Sequence, residues 1–154
     1  MSDDRVELVI LSGLQAAGKT SFYRERFAAT HVLVSKDAWP NARKKERRQQ
    51  RLVEEHLRAG RSVVVDNTNP TAAERLPLVA IARAAGARVT SYAFVTSVED
   101  AILRNAGRAG RARISDVGIF SVAKQLVLPA PEEGFDTRFV VRLTELGFVV
   151  DELA

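Results

Sequence analysis

An eight-residue stretch, Gly13 to Thr20 (GLQAAGKT), separates a short apolar run from a segment with helical spacing, and it constrains this chain more than any other feature. It satisfies the pattern G-x-x-x-x-G-K-[ST], which requires a strand before it and a helix after it. Val6 to Leu11 supplies the strand, and TSFYRERFAA, with Phe22 and Phe27 as core contacts, supplies the helix. Gly13 and Gly18 permit backbone conformations that aim successive N–H groups at an anion, and the helix N-terminus adds its dipole. In such a loop Lys19 reaches the β- and γ-phosphates of a nucleotide and the Thr20 hydroxyl coordinates Mg²⁺. The nucleotide contacts expected here are Gly13, Leu14, Gln15, Ala16, Ala17, Gly18, Lys19, Thr20 and Ser21. The loop implies phosphate binding, not what is done with the phosphate.

The rest of the chain continues the alternation. Strands are expected at His31 to Val34, Ser62 to Asp66, Arg88 to Val95 and Arg138 to Leu143, and helices at Asn41 to Ala59, from Thr71 to Gly86, at Val98 to Ala106 and at Val117 to Leu126. Thr71 and Glu74 form a capping-box pattern, and Pro77 should kink that helix or delay its start. Strands that are nearly continuous apolar runs, alternating with helices, predict an α/β fold of three layers with a five-stranded, mainly parallel sheet.

Length and composition narrow the function classes. The 154 residues and 16.9 kDa fit a single domain, 1–154. No apolar run approaches the roughly 20 residues of a membrane helix, and acids stand at the N-terminus where a secretory signal carries bases, which predicts a cytoplasmic protein with no membrane partner. The absence of cysteine excludes thiol catalysis and cysteine-ligated zinc, and His31 and His56 read as structural.

The net charge of +4 is unevenly spread. Lys36 to Arg51 holds seven bases against two acids, and Arg104 to Arg113 holds four arginines and no acid, so the remainder of the chain is acidic. Clustered cations suit a polyanion, through phosphate neutralisation and counterion release; a solvated helix face is the plain alternative for the first cluster. If the first cluster is helical, Arg43, Arg47 and Arg51 share one stripe and Lys44 and Arg48 the next. The second, NAGRAGRAR, has glycine hinges and no apolar anchor, the features of a mobile lid at about 104–113, with Arg104 and Arg108 as its nucleotide contacts.

Ligands of open α/β sheets bind beyond the carboxyl ends of the strands. Asp37 follows the second strand in HVLVSKD and is either a general base for an attacking hydroxyl or a helix cap. Asp66 ends the third strand in VVVDNTNP and is either a Mg²⁺ ligand or a turn residue. Trp39 either stacks on a substrate base or packs in the core.

Together these residues resemble the kinase module of the polynucleotide kinases, including that of the polynucleotide kinase-phosphatases. The resemblance rests on GLQAAGKT, VSKD at the place of an [N/S]-R-D segment, VVVDNTNP before a helix ending in ARAAG, the lid RNAGRAGRAR, and EGFD before the last strand. It implies a three-layer α/β/α P-loop kinase fold with an arginine-rich lid, and ATP-dependent phosphorylation of a 5′-hydroxyl end of DNA or RNA in nucleic-acid repair. Asp37 is then the base, Lys19 and Thr20 bind ATP·Mg²⁺, Asp66 organises the metal or the acceptor, and Arg108 is the lid arginine. The acceptor side would comprise Asp37, Trp39, Arg43, Arg47, Asp66 and Thr68. Two positions depart from the family: Lys36 stands where arginine is common, and Pro40 where some members hold the acceptor's 3′-phosphate with arginine. A kinase of a small-molecule hydroxyl, or a nucleotide-gated binding protein, would use the same loop.

Overall fold

The computed structural model describes residues 4–154, apart from the side chain of Arg111; Met1, Ser2 and Asp3 of the acidic N-terminus lie outside the described residues. In chain order the elements are β1 (Glu7–Ser12), α1 (Lys19–Arg26), β2 (Val32–Val34), α2 (Lys45–Arg58), β3 (Val63–Asp66), α3 (Ala72–Ala84), β4 (Arg88–Phe94), α4 (Val98–Ala106), α5 (Asp116–Gln125), β5 (Thr137–Thr144) and β6 (Gly147–Glu152). Short 3-10 turns occupy Lys36–Ala38, Gly110–Ala112 and Pro131–Glu133. The strands form one sheet in the order β2-β3-β1-β4-β5-β6, parallel except for β6.

The central strands are buried on both faces, and their alternation sorts side chains between two clusters. Leu8, Ile10, Val63 and Val65 face α2 and α3, where Val53, Leu57, Leu78 and Ala82 meet them. Val9, Leu11, Val64 and Phe94 face Phe22 of α1. Phe22 sits in an aromatic nest, with ring centroids 5.2 Å from Phe94, 5.2 Å from Phe148 and 5.3 Å from Tyr92. A third, small cluster joins Leu14 of the glycine loop to Ala101 of α4 and Ile119 of α5. The result is the three-layer α/β/α arrangement expected from the alternation.

Two expectations are corrected, and one of the two alternatives for Pro77 is removed. The sheet has six strands rather than five: the tail GFVVDE turns back through Glu145 and Leu146 and pairs antiparallel with β5. Gly147, at φ +111°, makes that turn possible. Helix α2 starts at Lys45, four residues later than Asn41, because Lys44 adopts a left-handed conformation (φ 55°, ψ 46°) that no right-handed helix can run through. Finally, Pro77 lies inside α3 without delaying its start at Ala72, where Thr71 caps the helix by accepting the Glu74 N–H at 3.3 Å. No helix among the described residues is long and apolar enough to cross a membrane.

Both histidines have structural surroundings. His31 bonds Glu7 at 2.8 Å and Thr30 at 2.7 Å, at the end of the sheet where β1 and β2 begin, and His56 accepts from Arg61 at 2.9 Å.

A buried ion pair fastens the chain after α5 to α3. Arg75, fully buried, donates Nε to Glu133 Oε1 at 2.8 Å and Nη2 to Oε2 at 3.0 Å, while its Nη1 donates to the Asn69 carbonyl at 2.8 Å. Burial alone would raise the Glu133 carboxyl, but the Arg75 guanidinium and the Ala130 N–H outweigh it and hold it below the usual 4.5. Its stabilisation is therefore present above that value and lost as pH falls through the lowered one. Arg75→Met, which leaves Glu133 uncompensated, should cost roughly 3–5 kcal/mol of unfolding free energy in urea titration. The deficit should shrink as the pH is brought down to where Glu133 protonates.

Candidate active site

Parallel pairing brings the carboxyl ends of β1, β2 and β3 to one edge, and a cleft of about 780 Å³ opens above them. The glycine loop forms its floor. Gly13 has φ +147°, and a Cβ there would lie 2.8 Å from Cβ and 3.0 Å from O of Phe94, so only glycine fits. Ala16 and Gly18 also have positive φ, 61° and 96°. Strain at Ala16, a residue with a Cβ, is typical of loops held in shape by their surroundings for binding. Leu14 and Ala17 turn into the core, whereas Gln15, Ala16, Lys19, Thr20 and Ser21 line the cleft.

Lys19 is buried, and its ammonium donates to the loop's own carbonyls, Gly13 O at 3.0 Å and Leu14 O at 2.6 Å. Burial pushes its pKa down from 10.5 to about 8, opposed by the nearby charge of Asp66 and assisted by that of Arg108. Thr20 donates its hydroxyl to Asp66 Oδ2 at 2.7 Å. Burial raises the Asp66 carboxyl above 3.8, against the Thr20 hydrogen bond and the Lys19 charge. A hydroxyl and a carboxylate side by side, next to a phosphate loop, fit Mg²⁺, which takes few protein oxygens and keeps water and substrate phosphates as its other ligands. No cluster of three His, Cys, Asp or Glu side chains exists among the described residues, so the donor set fits a phosphate-bound ion rather than an all-protein cage.

Asp37 lines the same cleft. Its turn follows β2, Ser35 caps it by accepting the Asp37 N–H at 3.2 Å, and its carboxylate is exposed. The capping role thus belongs to Ser35. Asp37 is near enough to Lys19 and Asp66 for its charge to raise both of their pKa values. Thr68 also lines the cleft, and its carbonyl accepts the Gly13 N–H at 2.9 Å. Arg108 reaches the cleft from the segment after α4 while donating to the Ala112 carbonyl at 3.2 Å.

Outside the loop, four expected contacts are not brought to the cleft. Arg104 lies within α4, its Nη1 buried and without a hydrogen-bond partner among the described residues. The segment after α4 has a polar anchor: the buried Asn105 side chain bonds Ile114 through both the N–H, at 2.9 Å, and the carbonyl, at 2.5 Å. Trp39 packs against the core beneath α2, with the Arg48 guanidinium 4.5 Å from its ring centre. Arg43 and Arg47 are exposed and outside the lining, and Arg43 and Lys44 precede α2, so no helical stripe from 43 through 51 exists. Arg24, Lys36 and Lys45 bring the cationic lining instead, with Lys36 paired to Glu46. The sequence reading also missed Asn67 and Asn69 of VVVDNTNP, although asparagine twice after a strand-end aspartate is a turn signal in its own right.

The fold and this cleft define a P-loop α/β domain, with the lysine, hydroxyl and carboxylate that such domains set around nucleotide phosphates. A family model described as an AAA domain matches residues 8–127, and the chain belongs to that family. Among solved structures, a gluconokinase from Sinorhizobium meliloti 1021 shares the fold with a TM-score of 0.66 at 16% identity, over 90% of this chain and 83% of that one. Kti12 from Chaetomium thermophilum, in complex with ADP-AlF3, gives 0.65 at 17% identity over 90% and 92%. A fungal RNA kinase gives 0.69 at 13% identity over 92% of this chain and 39% of the other.

The lowered pKa of Lys19 has a measurable consequence. A bound polyphosphate favours the charged form, so ATP affinity should fall as pH rises through about 8 rather than near 10.5. Calorimetry in metal-free buffers of differing ionisation enthalpy should record proton uptake on binding above pH 8, and Lys19→Met should abolish it.

Proposed function

We propose that this protein is an ATP-dependent phosphotransferase that moves the γ-phosphate of ATP to the 5′-hydroxyl end of DNA or RNA. The observation that carries the reading is that Asp37 lines the same cleft as Lys19, Thr20, Asp66 and Arg108. The phosphates lie on the loop, and Lys19 exchanges its carbonyl partners for their oxygens. Thr20 and Asp66 would hold Mg²⁺, which supplies charge neutralisation along the phosphates. Asp37 accepts the proton of the acceptor hydroxyl as its oxygen attacks in line, the bond to the β-phosphate's bridging oxygen breaks, and ADP leaves. Arg108 offsets the negative charge spread over the transferring group.

The nucleic-acid acceptor is supported by the cations that line the cleft, Arg24, Lys36, Lys45 and Arg108, and by the exposed bases of 43–51 around its acceptor side. A small-molecule hydroxyl is the second reading. It is favoured by the diversion of cations to internal partners: Lys36 to Glu46, Arg48 to Trp39 and Arg51 to Glu55 at 3.8 Å.

γ-Labelled ATP offered with 5′-OH DNA, 5′-OH RNA, nucleosides and sugars separates the two. An oligonucleotide KM that rises steeply with salt, with a log–log slope of about 0.7 per phosphate contact, supports the polymer. Equal transfer to a free nucleoside or sugar without salt dependence supports the small molecule. In either case Asp37→Asn should cut transfer by a factor on the order of 10² or more with ATP binding unchanged, and near wild-type transfer would remove Asp37 as the base.

A further inference from the structure

Asn67 follows Asp66 directly, and its side-chain amide leaves β3 for two other elements. Oδ1 accepts the backbone N–H of Lys36 at 3.0 Å, and Nδ2 donates to Gln49 Oε1 at 2.6 Å. A backbone N–H can only donate, so the Lys36 contact fixes which end of the amide is the oxygen and leaves Nδ2 for Gln49. Gln49 is 1% exposed on α2, so this second bond anchors the amide in a buried and rigid place. One side chain thus ties the end of β3, the turn that carries Asp37, and α2.

Few other directional bonds hold the turn: the Lys36 ammonium pairs with Glu46 of α2, but at the far end of a flexible side chain, which leaves the backbone free to shift. β2 is a three-residue edge strand paired with β3 alone. The bonds within Lys36–Ala38 reach no farther than Ser35 and Lys36 themselves. Trp39 packs on the core two residues beyond Asp37, but a ring contact fixes position less sharply than a directional bond. The Asn67 amide therefore sets where the backbone next to Asp37 sits relative to Asp66 and the loop.

We infer that Asn67 is a positioning residue for phosphoryl transfer, a latch that holds Asp37 at proton-transfer distance from the acceptor oxygen. The inference rests on the phosphotransferase reading of the cleft. A base must come within about 2.6–3.2 Å of the proton it takes, and a misplacement of about 1 Å can cost about 10²-fold in rate. Losing the latch therefore lowers kcat while leaving the floor of the cleft, which binds ATP, as it is.

Asn67→Ala should lower kcat about tenfold or more, with ATP Kd and acceptor KM held within about twofold. Amide hydrogen exchange at Lys36 should speed up in the same variant, while exchange in β3 stays slow. Because Asn67→Ala strands the buried Gln49 amide and can weaken the fold, the companion variant is Asn67→Ala with Gln49→Leu, which removes both polar partners together. That pair should regain thermal stability without regaining kcat. Asn67→Ala added to Asp37→Asn should slow transfer no further than Asp37→Asn alone, since the latch acts through Asp37.

Recovery of kcat along with stability would overturn the proposal, as would multiplicative losses in the Asp37 background. A raised acceptor KM at unchanged kcat would make Asn67 a substrate contact instead. Wild-type transfer with Asn67→Ala unaffected overturns this inference alone; no transfer by the wild type to any acceptor overturns it together with the phosphotransferase reading.

Discussion

Everything in the cleft depends on the register of β1 against β3. Parallel pairing sets Leu11 opposite Asp66, so β3 ends one residue before β1 does, at Ser12. From there the loop turns at Gly13, whose N–H is bonded to the Thr68 carbonyl, and Thr20 arrives 2.7 Å from the Asp66 carboxylate. A slip of one residue would exchange the faces of β3, sending Val63 and Val65 to the α1 side and Val64 to the α2 side. The slip would also carry Asp66 away from Leu11 and Thr20, so strand register and polar site are set together.

The site itself works against stability. Lys19 is held buried with its charge disfavoured, Ala16 takes a left-handed turn, and Asp66 is a buried carboxylate. Such features persist only where the surroundings over-determine them. The segment after β3 supplies that restraint: Asn69, at φ +40°, donates to the Leu11 carbonyl at 2.7 Å and offers its own carbonyl to the buried Arg75. The Arg75 and Glu133 pair then fixes α3, on which the segment ends. Stability removed at the loop is restored one layer below it.

Charge is divided between the two sides of the cleft by backbone conformation. Lys44 in a left-handed conformation delays α2 until Lys45, which turns Lys45 into the cleft and leaves Arg43 and Arg47 on the outside. A cationic run in sequence thereby becomes a few cations facing the cleft and a looser basic surface beyond it.

The sequence by itself determined the loop Gly13 to Thr20, the positions of Asp37 and Asp66 after apolar strands, and the alternation that makes a three-layer α/β fold. These are local properties: glycine conformations, strand periodicity and residue type at a strand end need no knowledge of distant partners. Tertiary structure decided what required a partner far along the chain. Asn67 meets Gln49 18 residues away and Arg75 meets Glu133 58 residues away, and neither pair leaves a periodic trace. Strand β6 was missed because half-exposed edge residues after a turn have a weak pattern of their own and become a strand only when β5 offers them its free edge. Trp39 was ambiguous for the same reason: an aromatic ring can serve core or ligand equally, and only the packing around it chooses between them.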